Sequence, residues 1–230
     1  MDLRSMNDFS PIIISMKTAA CAIVFTFFLG ISAAWLVVST KSKSVKIILD
    51  GVFTVSLVLP PTVAGFFLLC IFGARRPIGR LFLELFDAKI AFTWPATVIA
   101  AVVMSFPLMY RSARGAFEQV DPNLIFAART LGMGEGEIFF KVLLPNSLPG
   151  VLSGGVLAFA RGLGEFGATA MLAGNIPGKT QTLPMAVYSQ VAAGNYNNAY
   201  QYVLVILVIA FAAIVVLNLV EFRAGRKGKL

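Results

Sequence analysis

Apolar residues gather into five long runs, at residues 18–38, 51–74, 90–110, about 147–173 and 200–220, divided by short polar or charged segments. About 20 apolar residues at 1.5 Å rise per residue match a hydrocarbon core about 30 Å thick, so each run is long enough to cross a bilayer as a helix. Pro60 and Pro61 interrupt the second run, and Pro95 and Pro107 lie in the third. Proline would end a helix in water, but inside a membrane bundle neighbouring groups re-satisfy the freed carbonyls, so bent or broken helices are expected. The pattern predicts an all-α, polytopic integral membrane bundle of about five transmembrane helices, forming one domain over residues 1–230. The first run is longer than a signal-peptide core and lacks a small-residue cleavage site, so it reads as a retained span.

Composition agrees with that reading. Of 230 residues, 58% are hydrophobic and 13% charged, against about 25% charged in soluble domains. The net charge of +8 sits in short clusters beside the apolar runs, which fits membrane flanks and not a nucleic-acid-binding face. No histidine occurs, and Cys21 and Cys70 both lie in apolar runs, where buried reduced thiols are expected. The usual general base and the commonest metal ligand are therefore missing, and neither catalytic nor metal-binding residues are expected.

Between the second and third runs, residues 75–89 mix charge with Leu81, Phe82, Leu85 and Phe86, as in a short helix lying at an interface. Lysine and arginine counts give the orientation. Lys41, Lys43, Lys46, Arg111, Arg114, Arg129, Lys141, Arg223, Arg226, Lys227 and Lys229 fall on one side; Arg4, Lys17, Arg75, Arg76, Arg80, Lys89 and Lys179 fall on the other. The bias favours a multi-pass protein of the cell membrane with its N-terminus outside and its C-terminus cytoplasmic, although Arg75 and Arg76 run against it.

The connection at residues 111–146 is too polar to span and too patterned for a plain linker. Asp121 is a good N-cap, Pro122 suits the first turn and Gly132 suits the left-handed residue that ends a helix. Leu124, Ala127, Ala128 and Leu131 recur at i, i+3, i+4 and i+7 and form one narrow apolar stripe. Such a helix either packs on its own bundle or receives a partner.

Ala127-Ala128, Gly132 and, after nine residues, Val142-Leu143-Leu144-Pro145 resemble the EAA loop of binding-protein-dependent ABC importers. Phe126 stands where that family has an acid, and Val142 where it has isoleucine. The resemblance implies a cytoplasmic coupling loop at 121–146, with Leu124, Ala127, Ala128, Leu131, Gly132 and Pro145 facing a partner ATPase. No phosphate-binding G-x-x-x-x-G-K-[ST] loop occurs in the chain. The resemblance accordingly assigns ATP and Mg to two cytoplasmic ATPase subunits, and implies a homodimer of this chain served by an extracytoplasmic oxyanion-binding protein. The segments at 59–65, 159–168 and 174–178 are similar to permeases for tetrahedral oxyanions; the resemblance implies import of molybdate, or of tungstate as its mimic, by alternating access, with sulfate or thiosulfate as the alternative cargo.

Arg161 and Glu165 are the ionisable residues well inside a predicted span. A charge at mid-bilayer costs about 2.5–3.5 kcal/mol on the insertion scale, so neither is expected to face lipid. Their i, i+4 spacing allows a self-neutralising pair; the alternative is that they, with Pro60 and Pro61, border a pathway. A secondary transporter is the rival class, but it would be expected to carry a relay of intramembrane acids or histidines.

Overall fold

The computed structural model describes residues 8–227, with side chains described through residue 219. Arg4 and Lys229 of the charge count lie outside the described residues, as do the side chains of Arg223, Arg226 and Lys227. The described chain forms α1 (Ser10–Ser39), α2 (Lys43–Val58), α3 (Pro61–Phe72), α4 (Pro77–Phe86), α5 (Trp94–Glu118), α6 (Pro122–Thr130), α7 (Glu135–Ile138), a π-helical turn (Phe139–Leu143), α8 (Leu144–Leu163), α9 (Gly167–Leu172), α10 (Leu183–Ala192) and α11 (Tyr196–Lys227). Among the described residues, four helical stretches are long and apolar enough to cross a membrane, and α2 with α3 makes a fifth candidate bent by 113°. Five apolar runs thus become a multi-pass helical membrane bundle.

Helices α1 and α5 run parallel, side by side, on a constant register of 79 residues. Thr18 bonds Thr97 at 2.9 Å, Thr26 bonds Ser105 at 3.1 Å, and a Cβ on Gly30 would lie 2.5 Å from Met109 Cγ. Ala22 packs with Ala101 between these rungs. The ridge on α1 is therefore Thr18, Ala22, Thr26 and Gly30, four residues apart. Small residues at that spacing let two backbones approach, and paired hydroxyls satisfy one another where no water is at hand.

Helix α8 runs back against α5. A Cβ on Gly150 would meet Ala116 Cβ at 2.8 Å, and one on Gly154 would meet Ser112 Cβ at 2.4 Å. The ends of α1 and α5 consequently share the side on which α6 lies, while α4, α9 and α10 lie toward the opposite end. Helix α11 packs on α8 and α10 and leaves Leu207, Val208, Phe211 and Ile214 exposed, as expected of a helix facing lipid.

Helix α5 continues beyond residue 110 to Glu118 and takes Arg111 and Arg114 out of the predicted connection; three further boundaries move, each for a physical reason. Helix α1 begins at Ser10 and contains Lys17; that ammonium sits 4.2 Å from the centre of the Trp94 ring, which offsets its charge. The second run is an elbow, because Pro60 closes α2 while its carbonyl accepts the first amides of α3, from Val63 at 2.9 Å and Ala64 at 3.1 Å. The fourth run is not one helix to residue 173. It starts earlier, at Glu135, passes through the π-helical turn, and stops at Leu163, three residues before α9. The surface helix at residues 75–89 is α4, with Leu81, Leu85 and Phe86 exposed.

Candidate functional site

At one end of the bundle, α6 is a short helix with both ends closed by their own chemistry. The Asp121 carboxylate accepts the Asn123 amide at 2.9 Å and Pro122 occupies the first turn, as an N-cap requires. Gly132 has φ +80°. The Gly132 amide donates to the Arg129 carbonyl at 3.0 Å and the Met133 amide to the Ala128 carbonyl at 3.2 Å, the paired bonds of a Schellman stop. Arg129 then reaches forward to Glu135 through Nε at 2.9 Å and Nη2 at 3.2 Å. That hydrogen bond holds the Arg129 guanidinium above its ordinary pKa, so the pair clamps the loop while fully charged.

The apolar stripe read from the sequence is split between two environments. Ala128 is 4% exposed and faces the bundle, where Ile125 packs against the cluster of Phe117, Phe139 and Leu143. Leu124 and Leu131 point away, at 45% and 81% exposure, joined by Phe126 at 58%. Ala127 and Gly132 are exposed as well, and so is Pro145 beyond the π-helical turn. The helix therefore holds to its bundle by one face and leaves another exposed. Phe126 belongs to the exposed face although the sequence marked it only as a departure from a motif.

Beside α6 a cavity of about 630 Å³ opens between α5 and α8 and is lined by Arg111, Ser112, Asn146, Ser147 and Ser153, among others. Gly150 and Gly154, which let α8 cross close to α5, line it as well.

Toward the other end, the proline and glycine segments meet. A Cβ on Gly65 would lie 2.7 Å from Ala168 Cα, and one on Gly167 would lie 2.8 Å from Pro61 Cβ and 3.1 Å from the Thr62 amide. Helices α3 and α9 thus touch backbone to backbone. Arg161 and Glu165 make the ion pair that their spacing allows, Nη1 to Oε2 at 2.7 Å. The Glu165 side chain is 2% exposed and that of Arg161 30%; the other Glu165 oxygen accepts the Ala168 amide at 2.8 Å. The pair neutralises itself and closes the first turn of α9. Pro60 and Pro61 remain exposed at the elbow.

The turn at 174–181 is equally built. Gly174 and Gly178 have positive φ, the Thr180 hydroxyl accepts the Ile176 amide at 3.0 Å, and Asn175 Nδ2 donates to Ser189 Oγ at 2.6 Å. Among the described residues, no three His, Cys, Asp or Glu side chains converge as a metal site would need.

Sequence reasoning missed a cluster at the α6 end of α5. Asp50 on α2 accepts the Tyr110 hydroxyl at 2.9 Å and pairs with the Arg114 guanidinium, whose Nε donates to Glu118 at 2.9 Å. The readable signal was Asp50 itself, the one acid beside the start of the second apolar run.

Known proteins align with the chain along most of its length. It is 44% identical to a putative molybdenum transport system permease protein of Bacillus subtilis (strain 168), over 88% of this chain and 89% of that one. It is 41% identical to the molybdenum transport system permease protein ModB of Escherichia coli (strain K12), over 95% of this chain and 97% of that one. Among solved structures, a bacterial ABC transporter involved in import of the acidic polysaccharide alginate superposes with a TM-score of 0.73 at 12% identity, over 94% of this chain and 78% of that one. An inward-facing MetNI methionine ABC transporter superposes at 0.66 and 18% identity, over 96% and 99%. At such identities these two show a shared fold. A family model for the binding-protein-dependent transport system inner membrane component matches residues 26–226, and the chain belongs to that family.

Proposed function

We propose that this chain is the membrane-spanning permease subunit of an ATP-driven importer that moves molybdate, with tungstate as its close mimic, into the cytoplasm by alternating access. Two copies would line one pathway, two ATPase subunits would bind ATP and Mg and dock on the α6 end, and an extracytoplasmic oxyanion-binding protein would deliver cargo at the 174–181 end. The N-terminus is then outside and the C-terminus cytoplasmic. The observation that carries the importer reading is α6 itself: a helix capped at both ends, clamped by Arg129 and Glu135, with Leu124, Phe126 and Leu131 exposed. A short rigid helix passes on rigid-body motion, whereas a floppy loop would dissipate it, and rocking of packed elements is how alternating access is reached. The cargo reading rests on the molybdenum permeases aligned over up to 95% of the chain. Arg161 and Glu165 fit bundle packing better than a cargo contact, because each already neutralises the other's charge. Co-purification tests the docking reading: the tagged permease is expected to bring down a cognate ATPase, and Leu131→Asp to lose it while still inserting. Equal ATPase recovery with Leu131→Asp would contradict the assignment of this face.

A further inference from the structure

Proline 107 sits inside α5, and it has no amide to give to the carbonyl four residues earlier, Val103. That carbonyl is not left empty. The Ser56 hydroxyl of α2 donates to it at 3.2 Å. Two turns away on α2, Asp50 accepts the Tyr110 hydroxyl and pairs with Arg114, both on the far side of Pro107. Between these bonds, the Phe53 ring lies 5.7 Å from Phe106 and 5.3 Å from Tyr110, edge to face in both cases. Helix α2 has no fully buried residue, so this single face, Asp50 to Phe53 to Ser56, is what holds it to α5.

The three contacts straddle one gap in the backbone ladder of α5. A helix bends most readily where an i to i−4 bond is missing. Below the gap, Arg114 reaches Glu118, and Asp121 opens α6 three residues later. Above it, α2 leads through the elbow at Pro60 into α3, which packs on α9 by glycine contacts.

We propose that α2 is a strap across the Pro107 hinge and that Asp50 is a positioning residue, fixing the lower part of α5, and with it α6, relative to the α3–α9 contact. Motion delivered to α6 is then passed to the opposite end of the bundle through α2 and not absorbed by bending at Pro107. The relay rests on the importer reading above; the strap does not. Asp50 touches no cargo and works through Tyr110 and Arg114.

Two measurements test this. Amide hydrogen exchange of the purified permease in detergent reads the strap without any ATPase. Asp50→Asn is expected to speed exchange at least tenfold at residues 104–118 and leave residues 151–163 of α8 unchanged, with Asp50→Glu restoring most of the protection. In vesicles holding the permease, its ATPase and its binding protein, Asp50→Asn is expected to lower molybdate moved per ATP hydrolysed at least threefold while ATPase association stays intact. Unchanged exchange at 104–118 in Asp50→Asn would overturn the strap, and so would a rise spread evenly over α8. Faster local exchange with an unchanged transport-to-hydrolysis ratio would overturn the positioning role. If the unsubstituted complex itself shows no ATP-dependent uptake, the importer reading fails and the exchange result still judges the strap.

Discussion

Gly132 and Gly134 form a matched pair for testing α6. Both are exposed, and a Cβ built on either meets nothing within 4 Å, so crowding separates neither from alanine. Backbone conformation does: Gly132 has φ +80°, while Gly134 sits at φ −72°, ψ 157°, ordinary extended backbone for any residue. A Cβ in the left-handed region costs about 1–2 kcal/mol, somewhat less for asparagine, and a β-branched side chain adds to that, toward about 3 kcal/mol. One to two kcal/mol changes a two-state ratio by a factor of about 5–30, and the ratio at stake is that of the closed Schellman turn to an open loop. Binding of detergent-solubilised permease to its ATPase is expected to rank Gly132 first, then Asn, Ala and Val, with Ala weaker than wild type by about that factor and Val weaker still. Membrane insertion is expected to be equal throughout, because the turn lies outside the bundle, and Gly134→Ala is expected to bind as wild type does. Binding within twofold for Gly132→Val would refute the reasoning, as would a loss at Gly134→Ala equal to that at Gly132→Ala.

At the opposite end, Gly65→Ala would place a Cβ 2.7 Å from Ala168 Cα and 2.8 Å from Met171 Cβ, an overpacking of about 1–3 kcal/mol that lowers the Tm of the purified permease; Gly51→Ala, in open space within α2, is expected to leave Tm unchanged or raise it slightly, and equal values for the two would refute the close contact. Topology is read by single cysteines: a membrane-impermeant thiol reagent is expected to label Asn197→Cys in sealed cells and to miss Glu135→Cys, and the reverse pattern would invert the orientation.

The fold was legible wherever one local rule governed a segment. The caps of α6 could be read because Asp121, Pro122 and Gly132 each act on backbone within three residues. The amphipathic α4 was equally plain. The ridge on α1 was readable in principle, since Thr18, Ala22, Thr26 and Gly30 repeat every four residues, but its pairing with Thr97, Ala101, Ser105 and Met109 needs the register of two helices 79 residues apart. Charges inside helices were harder still. Lys17 belongs to α1 because Trp94 supplies a ring, and Asp50 to α2 because Tyr110 and Arg114 supply donors; neither partner is near in sequence. The serines show the same limit. Ser105 bonds back to the Ala101 carbonyl of its own helix at 2.7 Å besides meeting Thr26, whereas Ser56 crosses to α5 to meet a carbonyl that proline freed, and spacing alone does not separate these outcomes. Proline breaks were foreseen, but not that α2 and α3 would meet at 113°, because an elbow of that angle is held by the contact of α3 with α9.

Uptake in sealed vesicles tests the central claim most directly. The permease is reconstituted with its cognate ATPase and binding protein, and ATP-dependent entry of labelled molybdate is followed against excess tungstate, sulfate or a neutral solute. A molybdate importer is expected to accumulate label only with ATP, to be blocked by tungstate, and to be indifferent to sulfate and to the neutral solute. Strong competition by sulfate would move the cargo to the sulfate branch of the same permeases, and uptake of a sugar or amino acid with no uptake of molybdate would contradict the account.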